Sequence, residues 1–410
     1  MPSNLPHPEA ATPERVTSRG AAGPHFPAGR VAVVILVTTA LFVLTQLYAA
    51  IPLLGPVAGD LGADATFALS TSFSLAYAVG FLLWGPISDR YGRKRVMAAA
   101  IGVLTAATLL CATASSVPVM AALRALQGLS AAGFAPVALA YLAEAVAPGR
   151  RAGAIGAMST AFLVAGIFGQ VLASTVALQA GWSWFFVVCG VVLGVTFVLI
   201  LALLAEAPKR APAMSLLEQF GNLAKLLVAP AIVLLSIAHV TLLLSFVALY
   251  TGIGQHLESL DVPASDIILI RLAALPAMFV SLCVGTLAKR SAIVRVAQGG
   301  FMLAAVGMLG EVVLSGTLPG VIAASIVYVA GVALAVPSMI NLYGEAAAPN
   351  RGSGMAVNGF VLFVGASIGP IVGGASISFG TLAMVLVVLL AIAALSIRCV
   401  SIFNRKTTRS

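Results

Sequence analysis

The chain has 410 residues, 60% of them hydrophobic and only 9% charged, with 22 Lys and Arg against 13 Asp and Glu. A water-soluble fold cannot bury that apolar share, and the basic residues are scattered and not gathered into the patch that nucleic-acid binding needs. Soluble enzymes, nucleic-acid binders and disordered chains are excluded together, and a polytopic membrane protein is left.

Residues 1–30 hold six prolines and no apolar run, which predicts a disordered tail and not the hydrophobic region of a cleavable signal peptide. From there on, stretches of the length that a spanning helix needs, about 20 apolar residues, follow one another with short connections. They run near 31–52, 68–88, 96–114, 118–145, 154–178, 182–204, 230–253, 266–288, 294–314, 319–343, 353–378 and 381–403. The expected fold class is an all-α integral membrane protein of 12 transmembrane helices.

All but two of the 22 basic residues precede span one, follow an even-numbered span, or lie in the last stretch of the chain. Arg90, Arg93, Lys94 and Arg95 follow span two, Arg150 and Arg151 follow span four, Lys209, Arg210 and Lys225 lie between spans six and seven, and Lys289 and Arg290 follow span eight. The intervening loops carry none. Basic loops stay on the cytoplasmic side during insertion, so both termini are expected in the cytoplasm and the protein in the cell inner membrane. Five segments are expected: tail 1–30, bundle 31–204, linker 205–229, bundle 230–403 and tail 404–410.

Glu144, Ala145, Ala147, Pro148 and Arg150 recur as Glu345, Ala346, Ala348, Pro349 and Arg351, a constant shift of 201 residues. Pro136 and Gly153 likewise map onto Pro337 and Gly354. Six spans per copy is an even number, so the copies are parallel repeats related by an axis along the membrane normal. Two such bundles rocking about a central plane open a midplane cavity to either side in turn.

At the end of span two the chain reads Gly85-Pro-Ile-Ser-Asp89-Arg90-Tyr-Gly92-Arg93-Lys94-Arg95. This segment resembles the signature of the major facilitator superfamily, in residues and in place, and the twelve-span layout resembles that family from residue 31 onward. Physically, Gly85 permits a close helix crossing, and Asp89 is placed to pair with Arg93 one turn later and to face the start of span eleven. The resemblance implies a conformational latch made of Gly85, Asp89, Arg90, Gly92, Arg93 and Glu144, which holds the cytoplasmic side closed. In the second half only Gly285, Lys289 and Arg290 remain.

Charged groups within spans are costly, which makes Arg124 and Arg271 functional candidates. The residues around Arg124, from Leu123 through Gln127 and Gly128, resemble the family's span-four motif, which implies a cavity-facing arginine associated with proton coupling. The other reading of Arg124 is a structural arginine bonded to carbonyls of a neighbouring span. His239 in span seven titrates near neutrality when unperturbed and is the second coupling candidate; a hydrogen-bonded core residue is its plain alternative. Gln46, Tyr48, Gln127, Gln170, Arg271, Asn341 and Asn358 are candidates to line the substrate cavity, or else to bond neighbouring helices. Glu311 lies within span nine, near its outer end.

The drug and proton antiporter branch carries a Gly-Pro pair in span five. Here that place reads Gly166-Ile-Phe-Gly169-Gln170, and Gly365, Gly369, Pro370, Gly373 and Gly374 form such a pattern in span eleven. Packing explains glycines at this spacing equally well. The function expected is proton-coupled export of a small organic molecule, a drug, secondary metabolite or sugar, by alternating access, with lipid and protons as the other partners. No cofactor, metal or nucleic acid is expected, and the protein is expected to be a monomer. A nutrient or anion importer of the same fold is the nearest alternative, and an intramembrane enzyme would need clustered acids, bases or metal ligands that the sequence does not place at one depth.

Overall fold

A computed structural model describes residues 29–206, 215–259, 262–348 and 351–407. The expected tail therefore lies almost wholly outside the described residues, as do 207–214 of the expected linker.

The apolar stretches form helices throughout. Eleven described helices are long and apolar enough to cross a bilayer, and a twelfth is span five, where Gly153–Phe162 and Val164–Ala180 meet at 41°. Span one, Arg30–Tyr48, breaks at Ala49 and continues as Ala50–Leu61 until Gly62, whose φ of 68° caps it in the left-handed region. Span two, Phe67–Tyr91, opens with a π-helical turn over Phe67–Thr71. Just before it, hydrogen bonds from the side chain and backbone of Thr66 hold the Asp64 carboxyl below its usual range.

Span three is Arg93–Cys111 and span six Trp182–Leu203, while span four is split into Val117–Ala131 and Ala135–Ala145. The split precedes Pro136, which has no N–H to continue the ladder. Its repeat partner Pro337 instead sits inside an unbroken span ten, Leu318–Ala346. Span seven is Pro230–Glu258, span nine Ile293–Leu314, span eleven Arg351–Gly373 and span twelve Phe379–Thr407. Span eight changes winding twice, running α over Ala264–Ala273, 3-10 over Leu275–Cys283 and α again over Val284–Arg290.

Between the bundles, Leu216–Leu227 forms a short amphipathic helix. Ser215 caps it: its hydroxyl accepts from the Glu218 N–H, and the Glu218 carboxylate accepts from the Ser215 N–H at 2.7 Å. The helix buries Leu223 and packs against spans two and eleven at the end of the molecule that bears the basic loops, called the basic end below.

Spans six, nine and twelve turn rows of apolar side chains outward, among them Val191, Val195 and Val198, Met302 and Val306, and Val388 and Leu395. A soluble protein would hide such rows, and lipid is the solvent that suits them. The central seam is made by span two against span eleven, by span five against span eight, and by span seven against Ala50–Leu61.

Candidate functional site

The signature at the end of span two is a compact charged knot within the first bundle. Arg93 reaches back to Asp89 at 2.5 Å, across to Glu144 of span four at 3.2 Å, and to the Ser88 hydroxyl at 2.6 Å. One guanidinium thus ties two spans together. Gly92 makes the turn between spans two and three with φ of 104°, and a side chain there would run into the Glu206 carboxylate. Glu206 accepts from the N–H groups of Lys94 at 3.0 Å and Arg95 at 3.3 Å, so it caps the start of span three, where the helix dipole favours an anion. Sequence reasoning missed Glu206; its signal is an acid following span six, and no spacing links it to the turn it caps. Arg90 is exposed at the rim.

Two parts of the expected latch need correction. An added Cβ at Gly85 would meet nothing, so Gly85 makes no close crossing in this arrangement, and Gly352 at the start of span eleven likewise faces open space. Asp89 is engaged with Arg93, its side chain 41% exposed, and among the described residues no ion pair joins it to span eleven. The reason is geometric. Spans two and eleven touch one turn earlier, where the Phe81 ring lies over Gly359 and Tyr77 meets Phe363 edge-on at 4.3 Å, while Gly85 and Gly352 nearer the basic end have open space beside them.

The polar contacts across the seam lie toward the opposite end. The Thr71 hydroxyl donates to the Ser367 carbonyl at 2.9 Å, and Arg271 Nη1 donates to Ser174 Oγ at 2.6 Å. Tyr48 packs edge-on against Phe246 of span seven at 5.8 Å, close to Gly166, and Gly166 in turn faces Met278 of span eight. The halves are therefore joined at that end and parted at the basic end.

Arg124 lies inside the first bundle and not on the space between halves, which corrects the cavity-facing expectation. It is 1% exposed. Its Nε donates to the Leu69 carbonyl at 2.7 Å, Nη2 to the Gln46 carbonyl at 2.9 Å and Nη1 to Gln127 Oε1 at 2.9 Å, with the Phe73 ring 4.3 Å away. Leu69 sits in the π-helical turn and Gln46 in the last turn of Arg30–Tyr48, the places where helix carbonyls need outside donors. Gln127 extends the network to Thr108 at 2.7 Å and to Gln46 Oε1 at 3.4 Å. Gln46 and Gln127 are thus bonded helix to helix and do not line an opening.

His239 and Asn358 pair between spans seven and eleven at 2.9 Å, both buried, beside Tyr343. His239 Nδ1 has no partner. Gln170 is fully buried, its amide donating to Gly166 at 2.7 Å and its Oε1 unpartnered. Asn341 is exposed and bonds its own helix at Pro337. Seven of the nine candidates fall into three groups, Gln46, Arg124 and Gln127 in one bundle, His239 and Asn358 in the other, and Tyr48 and Arg271 at the seam, while Gln170 and Asn341 each bond their own helix. Among the described residues no three His, Cys, Asp or Glu come together in a metal-binding group.

Comparison with known proteins agrees with this architecture. A family profile described as Major Facilitator Superfamily matches residues 36–349. An uncharacterized transporter of Buchnera aphidicola is 34% identical over 124 residues, 30% of either chain, and the multidrug export protein EmrB of Haemophilus influenzae is 30% identical over 147 residues, 35% of this chain and 28% of that one. The chain thus spans less than a third of the length of these relatives. A crystal structure of a bacterial homolog to the human lysosomal transporter Spinster superimposes with a TM-score of 0.68 at 16% identity, over 90% of this chain and 96% of that one.

Proposed function

The chain belongs to the major facilitator superfamily, and we propose on that footing that it exports a small organic molecule by alternating access in exchange for protons. The observation that carries this reading is the asymmetry of the seam, joined by Arg271–Ser174 and Thr71–Ser367 at one end and parted beyond Phe81 and Gly359 at the other. A bundle pair held at one end and open at the other is one of the two states that an alternating carrier needs. The family's latch, Asp89 with Arg93 and Glu144, lies at the parted end and is free to engage when that end closes. The basic loops favour the cytoplasm of an inner-membrane protein for this end. Export is favoured by the likeness to a multidrug export protein over a third of the chain. His239, paired with Asn358, is the titratable group near the middle of span seven and serves coupling in this reading.

The test uses phosphatidylethanolamine and phosphatidylglycerol vesicles holding the full chain, an imposed pH gradient and a panel of neutral, anionic and cationic fluorescent dyes. Accumulation in inside-out vesicles and not in right-side-out ones is expected. Accumulation in right-side-out vesicles alone identifies an importer. Asp89→Asn is expected to lower turnover by about tenfold, the scale of one charge-assisted hydrogen bond, with normal abundance in the membrane. A fully active variant removes the latch.

A further inference from the structure

Glu311 of span nine is the fully buried acid among the described residues. Ser325 of span ten donates to its Oε1 at 2.7 Å, and Oε2 has no partner. The Tyr250 hydroxyl of span seven lies beside Ser325 and within electrostatic reach of both Glu311 and Arg271, and Arg271 Nε has no partner. Tyr328 closes the cluster, its hydroxyl on Ser245 at 2.8 Å. Ser325 thus stands between the Glu311 carboxylate and the Tyr250 phenol, and Arg271, within electrostatic reach of that phenol, spends its Nη1 across the seam on Ser174.

Unsatisfied buried polar groups are costly, and a bare carboxylate oxygen of Glu311 and a bare guanidinium nitrogen of Arg271 lie on either side of one phenol. An anion with one bare oxygen is expensive in a lipid-embedded core. We propose that Glu311 is a proton-binding site whose occupancy is linked, through Tyr250 and Arg271, to closure of the seam at the end away from the basic loops. This rests on the proton-coupled reading above and adds a second proton-carrying group in addition to His239.

Closure forms one O–H bond at Glu311 Oε2, taking a proton from water at the closing end, and commits Arg271 to Ser174. Opening breaks the Arg271–Ser174 bond, frees the guanidinium to turn toward Tyr250, and returns that proton to water; no other group of this cluster changes its protonation. The position suits exchange at that end, since Glu311 is three residues from the end of its helix, about 4.5 Å of rise. From span ten Ser325 and Tyr328 face the site, from span seven Tyr250, and from span eight Arg271. His256, on the Ser315 carbonyl at 3.3 Å, and Glu258 stand at the same end, while Arg295 of span nine and Arg398 of span twelve lie at the other.

The test reads distance and pH and needs no substrate. In a cysteine-free background, Leu178→Cys and Leu269→Cys, exposed on spans five and eight, are spin-labelled in the full chain in phosphatidylethanolamine and phosphatidylglycerol vesicles. The short label separation is expected at low pH, with the ratio of separated to closed molecules rising about tenfold per pH unit through the transition, as linkage to one proton requires. Glu311→Gln should hold the short distance at every pH, and Glu311→Asp should keep the transition with its midpoint moved. A parent with no pH response, or a Glu311→Gln variant that responds like the parent, overturns the proposal. Should Glu311→Gln fail to reconstitute, Ser325→Ala must move the midpoint, and an unmoved midpoint overturns it equally. If the dye panel shows no transport, the export reading falls while this measurement still decides for or against Glu311.

Discussion

Arg124 shows how a single buried charge is kept in a membrane bundle. Its three direct hydrogen bonds end on the Leu69 and Gln46 carbonyls and the Gln127 side chain, so the charge is surrounded by acceptors from three spans. Removing it strands the Leu69 and Gln46 carbonyls out of water and leaves the Gln127 amide oxygen only the weak Cys111 thiol as donor. Arg124→Ala is therefore expected to cost on the order of 3 kcal/mol or more, seen as a lower thermal midpoint and a smaller monodisperse fraction in detergent. Arg124→Lys should not restore stability, because an ammonium on a flexible stem cannot reproduce the planar fork that meets these acceptors at once. An Arg124→Ala protein of unchanged stability would contradict the pinning role.

At the scale of elements, close helix approach explains the glycines of span eleven. A Cβ at Gly365 would fall on the Val240 carbonyl, one at Gly369 against Leu244 and Val247, and one at Gly373 against Ala248, so one small-residue stripe lies along the backbone of span seven. Gly169 of span five makes the matching approach to Thr45 of span one. Gly365→Ala is expected to destabilise by about 1–3 kcal/mol through overpacking, whereas Gly299→Ala, with open space on span nine, should leave the thermal midpoint unchanged or raised. Equal midpoints for the two variants would refute the packing reading. The linker helix belongs to this scale too: its capping box was not singled out in the sequence, though Ser215 and Glu218 stand at the required spacing.

For the whole molecule, the seam predicts a pattern of access. Single cysteines at Gly85 or Gly352, on the parted faces, should react with water-soluble thiol reagents, and one at Ser174, under the Arg271 bond, should react slowly until that end opens. Uniform reactivity would mean that the halves are not hinged in this way. The twelve spans, the repeat and the charged knot were legible in the chain, whereas the grouping of polar residues was not. Gln46, Gln127 and Asn358 read as cavity candidates, yet each meets a partner inside its own bundle.

Hydropathy and loop charge are properties of short stretches, because bilayer thickness and backbone satisfaction act on each helix separately. For that reason the sequence alone determined the number of spans and the duplication. Which face each helix turns inward depends on partners from distant parts of the chain, many of them backbone carbonyls that no residue type announces. Only tertiary structure could therefore place Arg124 against Leu69, Glu206 over the turn at Gly92, and Glu311 beside Tyr250.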